Sequence, residues 1–165
     1  MARRDEAPPP ARLSDTGVRM VCVVAGFHRD ISERLLEGAR ERLAASGLPA
    51  DALDERWVPG AFELPLAALA LAETGRYAAI IALGAVVRGE TPHFDYVCDA
   101  AASGLGRVAL NTGVPCAFGV LTCDTYAQAE ARAGGAVGNK GHEAADAAVA
   151  MVNLLRAERE PSVSA

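Results

Sequence analysis

Residues 89–95, Gly89-Glu90-Thr91-Pro92-His93-Phe94-Asp95, gather groups suited to acid-base and anion chemistry. Imidazole is the side chain best matched to proton transfer near neutral pH. Backbone amides in a Gly-containing turn before a helix N-terminus can hold an anion, and Thr91 adds a hydroxyl. The run before this turn, Tyr77 to Val87, is apolar on both faces, the pattern of a central strand in a parallel sheet. Open α/β sheets place their ligands outside the carboxyl ends of such strands. A strand-to-helix turn whose histidine only caps or meets solvent has the same local sequence, so the neighbours of His93 must decide.

Two other groups fall at comparable places. Phe27 follows the β-branched run Val18 to Ala25, and a large aromatic on a loop beyond a strand either packs the loop or offers a stacking face to a flat ligand. Glu63 lies in Pro59-Gly60-Ala61-Phe62-Glu63-Leu64-Pro65, where a helix begins. The helix dipole favours a carboxylate there, so capping accounts for Glu63 as readily as ligand binding does. Asp95 likewise either orients the His93 imidazole or caps its helix.

The elements that must position these groups alternate between strand and helix. Val18–Ala25 predicts a buried strand. Asp30 with Glu33 has capping-box spacing, and Ile31, Leu35, Ala39 and Leu43 form the stripe of a helix running to Ser46 and stopped by Gly47. Asp51–Val58 predicts a short strand, followed by a helix to about Glu73 with Pro65 in its first turn. After His93, Val97, Ala101, Leu105 and Val108 recur at helical spacing as far as Gly113, and Pro115–Thr122 supplies a fourth strand. A short helix over Thr125–Ala133 is broken by Gly134, Gly135 and Gly138 from a last one over Lys140–Ala157, which buries Ala145, Ala148, Val149 and Val152. The pattern predicts an α/β, three-layer flavodoxin-like sandwich with a four-stranded parallel sheet flanked by helices. Right-handed crossovers then gather the loops at Phe27, residues 59–63, residues 89–93 and residues 122–125 on one rim. Residues 1–15 are expected to form a flexible arm, 16–158 a single domain and 159–165 a flexible tail. The Ala-rich faces of the last helices suit close packing against other subunits.

Composition narrows the partners. A chain of 165 residues, 51% hydrophobic and 22% charged, can bury a core without staples. Its formal net charge of -5, with no basic cluster beyond Arg3-Arg4, argues against a nucleic-acid-binding surface. No apolar run reaches the roughly 18–20 residues of a membrane span, and no apolar segment follows the basic N-terminal residues as a signal peptide would require. A cytoplasmic protein is expected. Cys22, Cys98, Cys116 and Cys123 lack metal-ligand spacing and are expected as reduced, small hydrophobes.

The chain resembles the lumazine synthases of riboflavin biosynthesis from Val18 to Ala157. The resemblance rests on Val58 to Pro65, Gly84 to Arg88 with Gly89-Glu90-Thr91, His93-Phe94-Asp95-Tyr96-Val97, Asn111-Thr112-Gly113-Val114-Pro115, and Gly138-Asn139-Lys140-Gly141. It implies condensation of 5-amino-6-(D-ribitylamino)uracil with 3,4-dihydroxy-2-butanone 4-phosphate, with loss of phosphate and water and with neither metal nor organic cofactor. Phe27 then matches the stacking position for the pyrimidine. The backbone around Ala61, Phe62, Ala85, Val86 and Val87 and the Glu63 carboxylate match its hydrogen-bonding partners, and Phe118 an apolar contact from a neighbouring subunit. Arg132 matches the phosphate-binding arginine, Glu90 and Thr91 the phosphate turn, His93 the proton-transfer residue, and Lys140 a position near the shared site. The resemblance also implies a homo-oligomer built on a pentamer. Some members stop at pentamers or paired pentamers and others form an icosahedral shell, which the linker from Gly134 to Lys140, free of insertion, favours here, with riboflavin synthase as the candidate enclosed partner. His28 departs from the pattern, since many relatives have asparagine after the stacking aromatic, and His142 matches no catalytic position. A protein of the same fold that binds flavin or lumazine, or only forms a shell, is the alternative without turnover.

Overall fold

A computed structural model describes residues 9–161. Four strands form one parallel sheet in the order β2-β1-β3-β4: β1 is Met20–Ala25, β2 Leu53–Val58, β3 Ala79–Val87 and β4 Cys116–Cys123. Helices α1 (Arg29–Ser46), α2 (Leu64–Glu73), α3 (His93–Thr112), α4 (Tyr126–Ala131) and α5 (Lys140–Arg159) connect and follow them. The predicted α/β sandwich is therefore the fold. β1 and β3 lie inside the sheet, which explains why their sequences are apolar on both faces. β2 is an edge strand, and its Asp54, Glu55 and Arg56 are the polar residues that blurred its pattern.

Strand alternation sorts the core into two layers. Met20, Cys22 and Val24, with Ile81 and Leu83, pack under Ile31, Leu35 and Ala39 of α1 and Ala145, Ala148 and Val149 of α5. Val21, Val23 and Ala25, with Ile80 and Ala82, pack under Leu64 and Ala68 of α2 and Ala101 and Leu105 of α3. From β1 the chain crosses to β2 on one side, whereas from β3 it crosses to β4 on the other. The crevice between the carboxyl ends of β1 and β3 is thus the topological switch point, where this class of sheet binds ligands. Gly84 lets the two strands close up below it, since a Cβ there would sit 2.7 Å from that of Ala25.

Several local expectations are corrected. The capping box at Asp30 and Glu33 does not form: α1 starts at Arg29, after His28, and Glu33 pairs with Arg29 at 2.8 Å. A capping box exists instead at α4, between Thr125 and Gln128. The glycines after α4 do more than break a helix, for they build an antiparallel hairpin of β5 (Ala133–Gly135) and β6 (Gly138–Asn139). Ala144, Ala145 and Ala148 of α5 are buried within the chain, whereas Ala147 and Ala150 on its other face are exposed. At the N-terminus, Leu13 is buried with its amide on the Ser46 carbonyl at 2.9 Å, and Asn153 holds Ser14 and Arg12. Residues 1–8 of the expected arm and 162–165 of the expected tail lie outside the described residues. The four thiols are free, with Cys22 and Cys123 buried and Cys98 and Cys116 half-buried.

Candidate active site

Three connecting segments meet over the switch point. The first leaves β1 through Gly26, Phe27 and His28. Gly26 donates its amide to the Val58 carbonyl at 2.8 Å and Phe27 to that of Pro59 at 3.2 Å, continuing the β1–β2 ladder one step beyond the sheet. His28 then adopts left-handed backbone, φ 51°. That region favours asparagine, aspartate and histidine among residues with a Cβ. His28 therefore suits the turn, and Phe27 projects outward with 70% of its surface exposed.

The second segment, Pro59 to Glu63, passes through a 3₁₀ turn (Ala61–Glu63) into α2. Gly60 is where it touches the first: a Cβ here would lie 2.9 Å from Cδ2 of Phe27 and 3.4 Å from Oε2 of Glu63. Glycine thus lets ring and carboxylate flank one backbone unit. Phe62 is exposed at 62%. Glu63 precedes the first residue of α2, where the helix dipole favours its carboxylate, and its side chain makes no capping hydrogen bond.

The third segment, Arg88 to Pro92, joins β3 to α3. Its anchor is Arg88, whose amide donates to the Cys123 carbonyl at 2.9 Å and whose Nε donates to Asp124 at 2.8 Å. The same guanidinium lies 4.2 Å from the centroid of the Phe94 ring. The hydrogen bond to Asp124 is the main cause that raises the Arg88 pKa further above its ordinary value. Asp95 lies in the first turn of α3 and accepts from Arg88 at 3.4 Å, with no hydrogen bond to His93. His93 is the first residue of α3 and is exposed.

These segments enclose a cavity of about 460 Å³ lined by Phe27, His28, Gly60, Ala61, Phe62, Glu63, Ala85, Val86, Val87, His93 and Val97. An aromatic face, a carboxylate, an imidazole and strand-end backbone groups converge there, a set able to hold a flat polar ring and move protons beside it. Of the other residues singled out, Glu90 and Thr91 are exposed on the turn before His93 and do not line this cavity. Arg132 and Lys140 line a second cavity of about 310 Å³ with Thr122, Cys123, Val137 and Glu143. Phe118, 37% exposed, lines a groove of about 510 Å³ with Leu110, Val114 and Met151. One chain therefore brings Phe27, Glu63 and His93 together, but not Arg132 or Phe118. Gly60 and Val97 were absent from the sequence-based set. Val97 follows His93 by four residues, so helical periodicity was the signal that could have found it.

Among the described residues no group of three or more His, Cys, Asp and Glu side chains could hold a metal ion, and no helix is long and apolar enough to cross a membrane. Lys140 pairs with Glu143 at 3.0 Å, and His142 with Glu41 at 3.0 Å between α5 and α1.

Fold and cavity define an α/β protein with a cavity at the switch point of a parallel sheet. The model of the 6,7-dimethyl-8-ribityllumazine synthase family matches residues 17–156, which spans every strand and all but the end of α5. The chain belongs to that family, a family of transferases in riboflavin biosynthesis that act on small molecules.

Proposed function

We propose that this chain condenses 5-amino-6-(D-ribitylamino)uracil with 3,4-dihydroxy-2-butanone 4-phosphate to give 6,7-dimethyl-8-ribityllumazine, phosphate and water. The observation that carries this is the convergence of Phe27, Glu63 and His93 in the cavity at the switch point. The pyrimidine stacks on Phe27, its ring edge and ribityl chain meeting the backbone at Ala61, Phe62, Ala85, Val86 and Val87 and the Glu63 carboxylate. Its amine attacks the ketone to form a Schiff base with loss of water. Phosphate elimination follows, and the ribitylamino nitrogen then closes the ring on the remaining carbonyl with loss of a second water, His93 carrying protons between the reacting atoms. Such help contributes about 10²- to 10⁴-fold, whereas holding two reactants in one geometry contributes about 7–11 kcal/mol in favourable cases. Positioning thus contributes more than proton transfer, and His93→Ala retains measurable activity.

The phosphate requires cations, and the cavity at His93 is lined by none. Arg132 and Lys140 supply them from a neighbouring subunit, Phe118 closes the ring site from the same neighbour, and the amides and hydroxyl of Glu90 and Thr91 complete the phosphate contacts. The separate placement of these groups within one chain supports a site shared between copies, in a pentamer that assembles further into an icosahedral shell. Riboflavin synthase, which uses the product, is the partner such a shell would enclose.

Steady-state kinetics test the roles. Arg132→Ala removes charge-assisted hydrogen bonds worth about 1.5–3 kcal/mol and raises KM for the phosphate substrate about 10- to 150-fold. His93→Ala lowers kcat instead. Co-expression of Phe27→Ala with Arg132→Ala restores activity above that of either alone, because some interfaces then carry both native residues. No recovery on mixing would place the whole site within one chain.

A further inference from the structure

The second cavity contains a group that the proposed chemistry does not use. The β5–β6 hairpin turns the chain so that the Lys140 amide donates to the Arg132 carbonyl at 2.8 Å, placing the two cationic residues at the two feet of one hairpin. Asn139 fixes these feet: its Nδ2 donates to the Arg34 carbonyl of α1 at 3.1 Å and its Oδ1 accepts from the Gly141 amide at 2.8 Å. Lys140 is the first residue of α5, a helix of 20 residues, where the dipole disfavours a cation. A lysine at this position makes an anion site stronger at some cost to the helix. Glu143 lies one turn on, with its carboxylate 3.0 Å from the Lys140 ammonium, and it lines the same cavity. A carboxylate beside an anion site opposes binding, so two cations and one carboxylate hold phosphate less tightly than the cations alone.

We infer that Glu143 tunes this cavity as a weak phosphate site, so that inorganic phosphate leaves after it has been split from the substrate. This rests on the phosphate role proposed above for Arg132 and Lys140. Phosphate elimination leaves the cavity holding a free anion that must depart before the next turnover, and two unopposed cations would retain it. The Lys140 and Glu143 side chains are 39% and 37% exposed, so solvent screens the effect. Their coupling is that of an exposed pair, about 0.2–1 kcal/mol, which corresponds to a change of up to about fivefold in affinity.

Titration of the assembled protein with inorganic phosphate at constant ionic strength tests this, alongside phosphate inhibition of turnover. Glu143→Gln is expected to bind phosphate about two- to fivefold more tightly, with a matching fall in the inhibition constant. Glu143→Asp, which keeps the charge, is expected to stay near the native value. Arg132→Ala is expected to weaken phosphate binding. If Glu143→Gln left phosphate affinity unchanged or lowered it while Arg132→Ala weakened binding, Glu143 would be a helix ion-pair residue alone and the inference would fall. If Arg132→Ala left phosphate binding intact, the phosphate assignment itself would fail.

Discussion

Removing the Phe27 ring separates a ligand-stacking residue from a packing one. A buried phenylalanine replaced by alanine costs about 3–5 kcal/mol, but 70% of Phe27 is exposed, and its amide is held by the Pro59 carbonyl and that of Gly26 by the Val58 carbonyl, independently of the ring. Phe27→Ala should therefore change stability by no more than about 0.5 kcal/mol, as at other surface sites. Stacking of a base-like ring on an aromatic side chain is worth about 1–3 kcal/mol, or about 5- to 150-fold in affinity. The assay combines thermal unfolding with the dissociation constant of the ribitylaminopyrimidine, and Phe27→Tyr serves as the rescue. The expected result is an unchanged Tm, a dissociation constant raised within that range for alanine, and near-native binding for tyrosine. A Tm lower by about 6–20 °C, the equivalent of a core deletion in a chain of this size, with unchanged affinity, would show that Phe27 packs the loop and would refute the stacking role.

Three further perturbations follow from particular contacts. Gly60→Ala brings a methyl group to 2.9 Å from the Phe27 ring in backbone at φ -154° that any residue adopts, so the fold persists and KM for the pyrimidine rises; an unchanged KM would mean that the ring moves freely. Tyr77 donates a hydrogen bond to Asp54, which holds the Asp54 carboxyl below the ordinary carboxylate range, while burial first and this bond second raise the Tyr77 phenol. The Asp54 contribution to stability is present above about 3.8 and lost as pH falls through its lowered pKa. That of Tyr77 is present below about 10.0 and lost as pH rises through its raised one. The stability gap between native protein and Tyr77→Phe, followed by denaturant unfolding across pH, is thus widest between those limits and narrows beyond both; a gap independent of pH would contradict the linkage. Burial pushes the Cys22 thiol up to about 12, so it should resist a thiol reagent at pH 8 in the folded protein and react on denaturation, with mass spectrometry identifying the site.

How far the sequence could be read depended on how many neighbours each segment has within the chain. β1 and β3 are covered on both faces, so apolar runs revealed them, whereas β2 at the edge carries Asp54, Glu55 and Arg56 and was less distinct. The start of α1 was misread because Asp30 and Glu33 have capping-box spacing, yet Arg29 takes Glu33 and the left-handed His28 opens the helix. The hairpin at 133–139 escaped notice because its strands, of three and two residues, are too short to show alternation. At the site, residues on the turns after β1, β2 and β3 were legible as a group, since parallel topology carries all three to one edge. Their separation from Arg132 was not, and that from Phe118 came from the family resemblance alone, because those residues follow or belong to β4 at the far edge of the sheet and face other cavities. Periodicity describes which face of an element is buried; it carries no information on which cavity a loop residue will line.

Steady-state formation of the lumazine chromophore by the purified chain, from the ribitylaminopyrimidine and the butanone phosphate without added metal, tests the central claim most directly. The expected result is saturable turnover in both substrates with one phosphate released per lumazine formed. A correctly assembled protein that bound the ribitylated ring in the Phe27 cavity yet produced no lumazine would contradict it, and would make that cavity a binding site without turnover.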